Sequence, residues 1–312
     1  MRLRHSLAAL LPVAALLVLP GTATAADADL AARWAPIHYQ DTDSSDADAD
    51  YLSAFDYDGN WDGLDNWEHQ DDSAARLTGA VYYSVTETST HWFLVYGFFH
   101  PRDWDDQPDP LSRNTHENDM EGVLLTVRKD GSTYGKAEAM ITIAHSDFYS
   151  YVPAGSPYTG GRESVDAVLP MQTHNGVAHP TTRQEAKGHG CYAGNGTTFP
   201  GGDGVVYYPG TTGEAPSGGN DRSVPYRLVN IFATDGLWSH RADSATFASW
   251  GTFRGDNGKD NAANPPWGWD DADDGDDLPR GMFASHPAYL VSQYFANEGT
   301  FSQAYLNNPY ES

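Results

Sequence analysis

Apolar and polar residues alternate in short runs along the first half of the chain, as they do in β-strands. The clearest runs cover residues 79–86 and 91–99, which a short polar turn separates. Two more runs cover residues 121–128 and 137–145, and the turn K-D-G-S follows the first of them. The pattern predicts a sheet of short strands joined by tight turns.

The second half of the chain is less regular. Residues 150–225 are rich in Gly, Pro, Thr and Asn, and they contain only weak strand patterns near 183–190 and 204–208. Residues 255–281 predict a loop, and residues 286–296 have the apolar spacing of a helix that packs against the sheet. Without an internal repeat or an interdomain linker, we expect an all-β fold: a single-domain antiparallel β-sandwich with long loops and a few short helices.

The amino terminus has the pattern of an export signal. Arg2 and Arg4 precede an apolar run at 7–19, and the small residues A-T-A follow a Pro-Gly break. This run is shorter than the roughly 20 residues that a membrane span needs. The sequence predicts a signal peptide at 1–25 and a secreted, extracellular domain at 26–312, and an uncleaved anchor is the alternative.

Charge and cysteine content exclude several classes of protein. The formal net charge is −25, from 18 Lys+Arg against 43 Asp+Glu, and such a surface repels nucleic-acid phosphates. The single cysteine permits no internal disulfide and no thiolate metal cluster. We expect a monomer that does not bind nucleic acid and has no stable membrane-spanning segment.

The strongest candidate for chemistry is H-E-N-D-M-E-G at 116–122. Asp119 and Glu121 are two residues apart, so on a strand they point to one face, and His116 is close by. Asp103 lies upstream across a Pro-rich loop that could fold back. One imidazole and three carboxylates suit a hard divalent cation, Ca²⁺ first, with Mg²⁺ or Mn²⁺ as alternatives. A polar strand end with solvated carboxylates is the competing interpretation.

Two further histidines could accept a proton beside such an ion. His189 lies between glycines in G-H-G-C-Y, and His145 ends a predicted strand. Each could instead be a hydrogen-bonded structural histidine. Cys191 is expected to be a buried small hydrophobe rather than a nucleophile.

The chain also contains acidic segments, which include 41–72 and 270–277. Within the first, Asp58 and Asn60 belong to an alternating Asp/Asn pattern that lacks the Gly and Glu of an EF-hand. A different calcium loop and a plain acidic turn both stay open for this segment. Trp267 and Trp269 could stack on sugar rings or lie in the core.

Several motifs resemble a known family. The segments Y-G-F-F-H-P-R-D-W at 96–104 and H-E-N-D-M-E-G-V-L-L-T-V at 116–127 are similar to the core of the necrosis-inducing, ethylene-inducing-like proteins. Together with A-A-R-W-A-P-I-H-Y at 31–39 they also resemble the vacuolar protein sorting-associated family sixty-two. The segment E-A-K-G-H-G-C-Y at 185–192 resembles an H-G-x-Y segment of both families.

The resemblance implies a β-sandwich with a divalent cation at one edge. Its ligand positions fall on the residues Asp103, His116, Asp119 and Glu121. Two positions depart from the family motif, because Asn118 replaces a histidine and Met120 replaces a tryptophan. These departures place the cytolytic activity of that family in doubt for this chain.

Two functions remain open at this point. The first is a secreted, divalent-cation-dependent protein that binds a glycan, a lipid head group or another small molecule. The second is a metal-dependent hydrolase of phosphodiester or ester bonds, with His189 or His145 as general base. The residues alone identify neither the ligand nor the ion.

Overall fold

The computed structural model describes residues 26–106, 115–194, 199–272 and 278–311. The predicted signal peptide lies outside the described residues, as do positions 273–277 of the second acidic segment. The helices are α1 (Asp27–Trp34), α2 (Asn66–Gln70), α3 (Met282–Ser285) and α4 (Pro287–Tyr294). The strands are β1 (Ile37–Asp41), β2 (Ala80–Thr88), β3 (His91–Asp103), β4 (His116–Arg128), β5 (Lys136–Ala144), β6 (Asp147–Val152), β7 (Thr159–Gly160), β8 (Ala167–Val168), β9 (Met171–His174), β10 (Val177–Gln184), β11 (Cys191–Ala193), β12 (Gly204–Gly210), β13 (Val224–Asn230), β14 (Phe247–Ser249), β15 (Thr252–Phe253), β16 (Phe295–Ala296) and β17 (Tyr305–Asn307).

Thirteen strands form one sheet within the described part of the chain. Its main order is β11-β10-β1-β12-β13-β2-β3-β4-β5-β6-β8, with β9 added to β10 and β17 added to β2. The run from β2 to β6 is an antiparallel meander, in which strands consecutive in the chain are neighbours in the sheet. The alternating pattern predicted β2 to β5 of this meander.

The sheet as a whole is mixed and curled, so the predicted antiparallel β-sandwich is confirmed only as a mostly-β fold with a few helices. Four neighbouring pairs are parallel: β1 with β10, β12 with β13, β13 with β2, and β6 with β8. Parallel neighbours need long connections, and the Gly- and Pro-rich second half of the chain provides them. The pairing depends on contacts far apart in sequence, which local patterns do not encode.

Both faces of the meander are buried. Phe93, Val95 and Phe99 of β3 belong to one core cluster, which segments from the carboxy-terminal third of the chain cover. Their neighbours Trp92 and Leu94 belong to a second cluster, which α1, β12 and β13 complete. The sheet also curls, so that β11 near one end of the strand order contacts β4 and β5. This curl brings the segment around residues 185–190 to the edge of β4.

Most predicted elements are confirmed, with boundaries that shift by a few residues. The strands predicted at 79–86, 91–99 and 137–145 correspond to β2, β3 and β5, and the helix predicted at 286–296 corresponds to α4. The weak strand predicted at 183–190 is misplaced, because β10 ends at Gln184 and a turn follows. Within the described residues, no helix is both long enough and apolar enough to span a lipid bilayer.

Candidate cation-binding cleft

The adjacent strands β3 and β4 carry all four predicted ligands. Asp103 is paired with His116 in the antiparallel register, and His100 is paired with Asp119. Nε2 of His116 lies 3.4 Å from Oδ2 of Asp103. Residues 13 positions apart in sequence therefore become direct neighbours, because the two strands run side by side to their ends.

Asn118 interrupts the alternation of β4. In a regular strand, His116 would face away from Asp119 and Glu121, because side chains alternate between the two faces. Asn118 adopts a left-handed backbone with φ of 59°, which asparagine tolerates better than most residues. Its amide donates hydrogen bonds to the carbonyls of Gly63 and Arg254, so the kink is held in place. His116, Asp119 and Glu121 line the same cleft as a result.

The cleft has a volume of about 730 Å³. Five acidic residues line it, together with two tryptophans, two lysines and two histidines. The lining residues are Asp103, Trp104, Asp105, His116, Asp119, Met120, Glu121, His145, Ser146, Glu185, Lys187, Gly188, Lys259, Ala262, Ala263, Asn264 and Trp269. A cleft of this size accommodates a small molecule or one or two sugar units.

Two of the carboxylates that line the cleft are protonated more readily than carboxylates in water. Burial, together with the negative charge of Asp119, raises the pKa of Asp103 to about 8. The same two causes hold the pKa of Glu121 well above its usual range. Oε1 of Glu121 accepts a hydrogen bond from the backbone N–H of His145 at 2.5 Å, whereas the buried Oε2 has no hydrogen-bond partner in the described part of the chain. A buried carboxylate oxygen without a partner is costly unless a cation or a proton compensates it.

Asp119 remains ionised because of His189. Burial alone would raise the pKa of Asp119, but the hydrogen bond from His189 and the nearby positive charges lower it overall. Nδ1 of His189 lies 3.0 Å from Oδ2 of Asp119, and its Nε2 lies 3.2 Å from Oδ1 of Asp50. Burial would lower the pKa of His189, but its hydrogen bonds to the two carboxylates raise that pKa to about 9. Sequence reasoning missed Asp50, because it is one of many aspartates in the segment 41–72.

His145 has a different environment from His189. It lines the cleft, and its side chain is 56% exposed. Its ring nitrogens lie 3.6 Å from Oε1 of Glu121 and 3.8 Å from Oε1 of Glu185, which is beyond hydrogen-bond distance. The ring of His145 is therefore accessible from the cleft, whereas the ring of His189 is enclosed.

Four of the seven non-glycine residues with positive φ in the described part of the chain lie around this cleft. They are Asn118, His145, Lys187 and His189. Residues other than glycine adopt this backbone conformation at an energetic cost, and such residues concentrate at functional sites. Their concentration here marks the cleft as the site to test.

The donor set fits a hard divalent cation. Nδ1 of His116 donates to the carbonyl of Asn118 at 2.8 Å, which leaves the lone pair of Nε2 available for a cation. Metal-bound histidines usually make such a bond with the second ring nitrogen. The three carboxylates of Asp103, Asp119 and Glu121 are buried and face the same cleft. Their ligand atoms are nevertheless spread out, since no three of the four predicted ligands lie within 4.8 Å of one another.

A tighter group occurs in the acidic segment. Ligand atoms of Asp58, Asp65 and His69 lie within 4.8 Å of one another. Nδ1 of His69 is 2.5 Å from Asp58, and the amide of Asn60 donates to Asp58 at 2.7 Å. Hydrogen bonds within the segment pair these groups, and both the calcium loop and the plain acidic turn stay predictions for it.

The other candidate residues are buried. Trp267 is 3% and Trp269 is 2% exposed, so the interpretation as exposed sugar-stacking residues is wrong for both. Trp269 donates from its indole to the carbonyl of Met120 at 2.7 Å and supports the cleft wall from within. Cys191 is fully buried, and burial raises the pKa of its thiol well above the usual range, as expected for a structural cysteine.

No protein-family model matches the sequence, and no curated protein matches it significantly. Among solved structures, the chain is similar to a necrosis- and ethylene-inducing protein from the causal agent of cocoa's witches' broom disease. The two are 15% identical with a TM-score of 0.41, over 80% of this chain and 87% of that chain. A structure described as a toxin fold for microbial attack and plant defence is 14% identical with a TM-score of 0.41, over 80% of this chain and 90% of that chain.

A third similar structure is NLPPya in complex with mannosamine. It is 14% identical with a TM-score of 0.38, over 89% of this chain and 97% of that chain. TM-scores of this size describe only a partial similarity of the backbone path, so no ligand or activity of these proteins is transferred to this chain. The likeness agrees in kind with the resemblance to the necrosis-inducing family, and the resemblance to the vacuolar protein sorting-associated family stays a prediction.

Proposed function

We propose that this chain is a secreted protein that binds a divalent cation in the cleft and uses it to bind a glycan or a lipid head group. Asp103, His116, Asp119 and Glu121 would hold the ion, and Ca²⁺ suits three carboxylates and one imidazole best. The observation that carries this proposal is that Oε2 of Glu121 is buried and makes no hydrogen bond to any described residue, while Glu121 lines the same cleft as two further carboxylates.

When bound, the ion would supply positive charge to which ligand hydroxyl or phosphate oxygens can coordinate. The chain itself supplies the rest of the site. Asp103 and Glu121 line it, and the hydrogen bond from His189 holds Asp119 in one orientation. Trp104 and Lys187 form part of one wall, with the ammonium of Lys187 5.1 Å from the centre of the indole ring. An aromatic wall beside polar groups is typical of sites that bind sugars and head groups.

The export prediction supports the extracellular part of the proposal. A basic start, an apolar run and small residues at 1–25 predict cleavage and secretion. Calcium is abundant outside cells, so a weakly held ion would be present under working conditions.

A calorimetric titration of the whole protein with Ca²⁺, Mg²⁺ and Mn²⁺ tests the ion directly. We expect saturable binding of one ion, which Asp119→Asn weakens and which Glu138→Gln, far along β5 from the cleft, leaves unchanged. A glycan array and vesicles of defined head groups, each with calcium and then with EDTA, test the ligand. The absence of binding by all three ions at millimolar concentration would refute the proposal.

A metal-dependent hydrolase is the second candidate, and the exposure of His145 favours it. Its ring is open to the cleft and could accept a proton from a substrate or from water. His189 is poorly suited to this task, because both of its ring nitrogens already face carboxylates and hold protons. EDTA-sensitive release of product from a chromogenic phosphodiester or ester would favour this second function.

A further inference from the structure

Asp50 lies behind the cleft and makes an unusual number of contacts for one carboxylate. Its side chain is fully buried. Oδ1 accepts hydrogen bonds from the backbone N–H of Lys187 at 2.8 Å and from the indole of Trp104 at 3.2 Å, and it also faces Nε2 of His189. Oδ2 accepts from the backbone N–H of Asp43 at 2.8 Å. One carboxylate thus joins three segments of the chain.

The segment that Asp50 holds is strained. Lys187 has φ of 72° and His189 has φ of 52°, although neither is glycine. Such a backbone conformation is energetically unfavourable for a residue other than glycine, and it persists only where surrounding contacts impose it. Asp50 contacts the backbone of Lys187 and the ring of His189. Its hydrogen bonds therefore act on both strained residues.

We infer that Asp50 is a positioning residue of the cation site: it orients His189, and His189 orients the ligand Asp119. This inference rests on the proposed function. Asp50 does not line the cleft and is not expected to touch the ion. It acts through the hydrogen-bonded series Asp50, His189 and Asp119, in which His189 bridges two carboxylates on opposite sides of its ring.

The hydrogen bonds of Asp50 explain why its substitution would weaken binding of the ion. With Asp50 present, the ring of His189 is held between Oδ1 of Asp50 and Oδ2 of Asp119. An amide at position 50 keeps only one acceptor oxygen for the four donors around it, so the ring is held less firmly against Asp119. The loss of supporting partners of a metal ligand typically costs about 10–100-fold in affinity for the ion.

The test is a calcium titration of Asp50→Asn, a variant of nearly the same shape. We expect its affinity for Ca²⁺ to fall about 10–100-fold. Glu138→Gln is the matched control, because it neutralises a half-buried acidic residue that does not line the cleft. An unchanged affinity in Asp50→Asn would overturn the inference while leaving the proposed function intact. A wild-type protein that binds none of the divalent ions would overturn both.

A double-mutant cycle separates positioning from general destabilisation. His189→Asn removes the imidazole and still tolerates positive φ. If Asp50 acts through His189, the double variant loses no more calcium affinity than the weaker-binding single variant. Additive losses would show that Asp50 acts independently of His189, and they would overturn the inference.

The wild-type protein offers a second measurement in case Asp50→Asn does not fold. Both ring N–H protons of His189 are buried and hydrogen-bonded, so imidazole signals should be visible by NMR and exchange slowly with water. Calcium titration should shift these signals, because Asp119 connects the ring to the ion. Signals that remain unmoved at calcium saturation would overturn the inference.

Discussion

The imidazole of His189 stacks on the imidazole of His100, with ring centres 3.7 Å apart and planes inclined by only 6°. Burial and the positive charge of His189 hold the pKa of His100 well below its usual range. Nε2 of His100 lies 3.1 Å from the amide oxygen of Gln184, whereas His189 lies between two carboxylates. The hydrogen-bond partners thus give two adjacent, fully buried rings opposite protonation states, and the stack fixes the plane in which His189 meets Asp119.

Asp119→Asn should lower the affinity for the ion without preventing its binding. The amide keeps the shape of the side chain and one ligating oxygen, but it removes a charge from the donor set. We expect calcium affinity to fall by at least tenfold and binding to recover at high calcium, measured by calorimetry. A variant whose affinity equals that of the wild type would exclude Asp119 as a ligand.

Chelation should lower the melting temperature. Carboxylates held close together repel one another unless a cation lies among them, and a ligand at about 100 times its dissociation constant adds roughly 2.7 kcal/mol of stability. We expect calorimetric melting to occur several degrees lower in EDTA than in calcium. Asp119→Asn is the control, because EDTA should affect it much less. Identical melting curves for the wild type would mean that no tightly held ion stabilises the fold.

The pH dependence should reverse when calcium is added. The raised pKa of Asp103, about 8, means that the ion-free fold binds more protons than the unfolded chain above the ordinary value of 3.8. Its stability therefore falls as the pH rises from about 5 to 8. His189 changes the stability of the fold in the same direction. Its stabilising contribution is complete below pH 6.5 and disappears as the pH rises to about 9.

Calcium needs the deprotonated carboxylates, so its affinity should rise over this range. Melting curves at several pH values between 5 and 9 in EDTA should show a decline in stability. In saturating calcium the decline should vanish or become an increase. Parallel declines in both conditions would argue against Asp103 as a ligand.

His145→Asn distinguishes the two functions. Asparagine removes the imidazole and tolerates the left-handed backbone of this position, where φ is 61°. For a binding protein, we expect ligand and calcium affinities to change by less than about threefold, because the ring makes no short contact. For a hydrolase, turnover should fall by about 10²–10⁴-fold and should not recover with added metal.

Glu138→Gln should lower stability but not ion affinity. Glu138 accepts hydrogen bonds from Arg128 at 2.6 Å and from Tyr158 at 2.9 Å, and its side chain is only 14% exposed. Although burial alone would raise its pKa, hydrogen bonds from His91, Arg128 and Tyr158 lower it to about 2. Its contribution is therefore present above the ordinary value of 4.5 and is lost as the pH falls towards 2.

We expect a cost of about 1–3 kcal/mol at neutral pH, measured by denaturant unfolding. The more exposed pair Glu87–Lys129 provides the comparison, since Glu87→Gln should cost less than about 1 kcal/mol. Equal costs for the two variants would contradict the role assigned to Glu138.

Local patterns accounted for β2 to β5 of the meander, because apolar and polar residues alternate along these strands. They did not anticipate the parallel pairing of β1 with β10 or of β13 with β2, since each pair joins residues more than 100 positions apart. They also failed at Asn118, where the departure from the strand conformation decides which face His116 occupies. Reasoning from the two-residue alternation of side chains in a strand cannot locate a residue at which that alternation is interrupted.

The sequence by itself determined which residue types could chelate a cation, because carboxylates and an imidazole at 103, 116, 119 and 121 keep their chemistry in any fold. It also determined the acidic character of the protein and the alternating strands that carry these residues. Only the tertiary structure decided that Asp50, 69 positions before Asp119, meets the same histidine. The reason is physical: contacts made when the sheet curls depend on the whole packed core, and burial then sets the protonation of His189, Asp103 and Glu121.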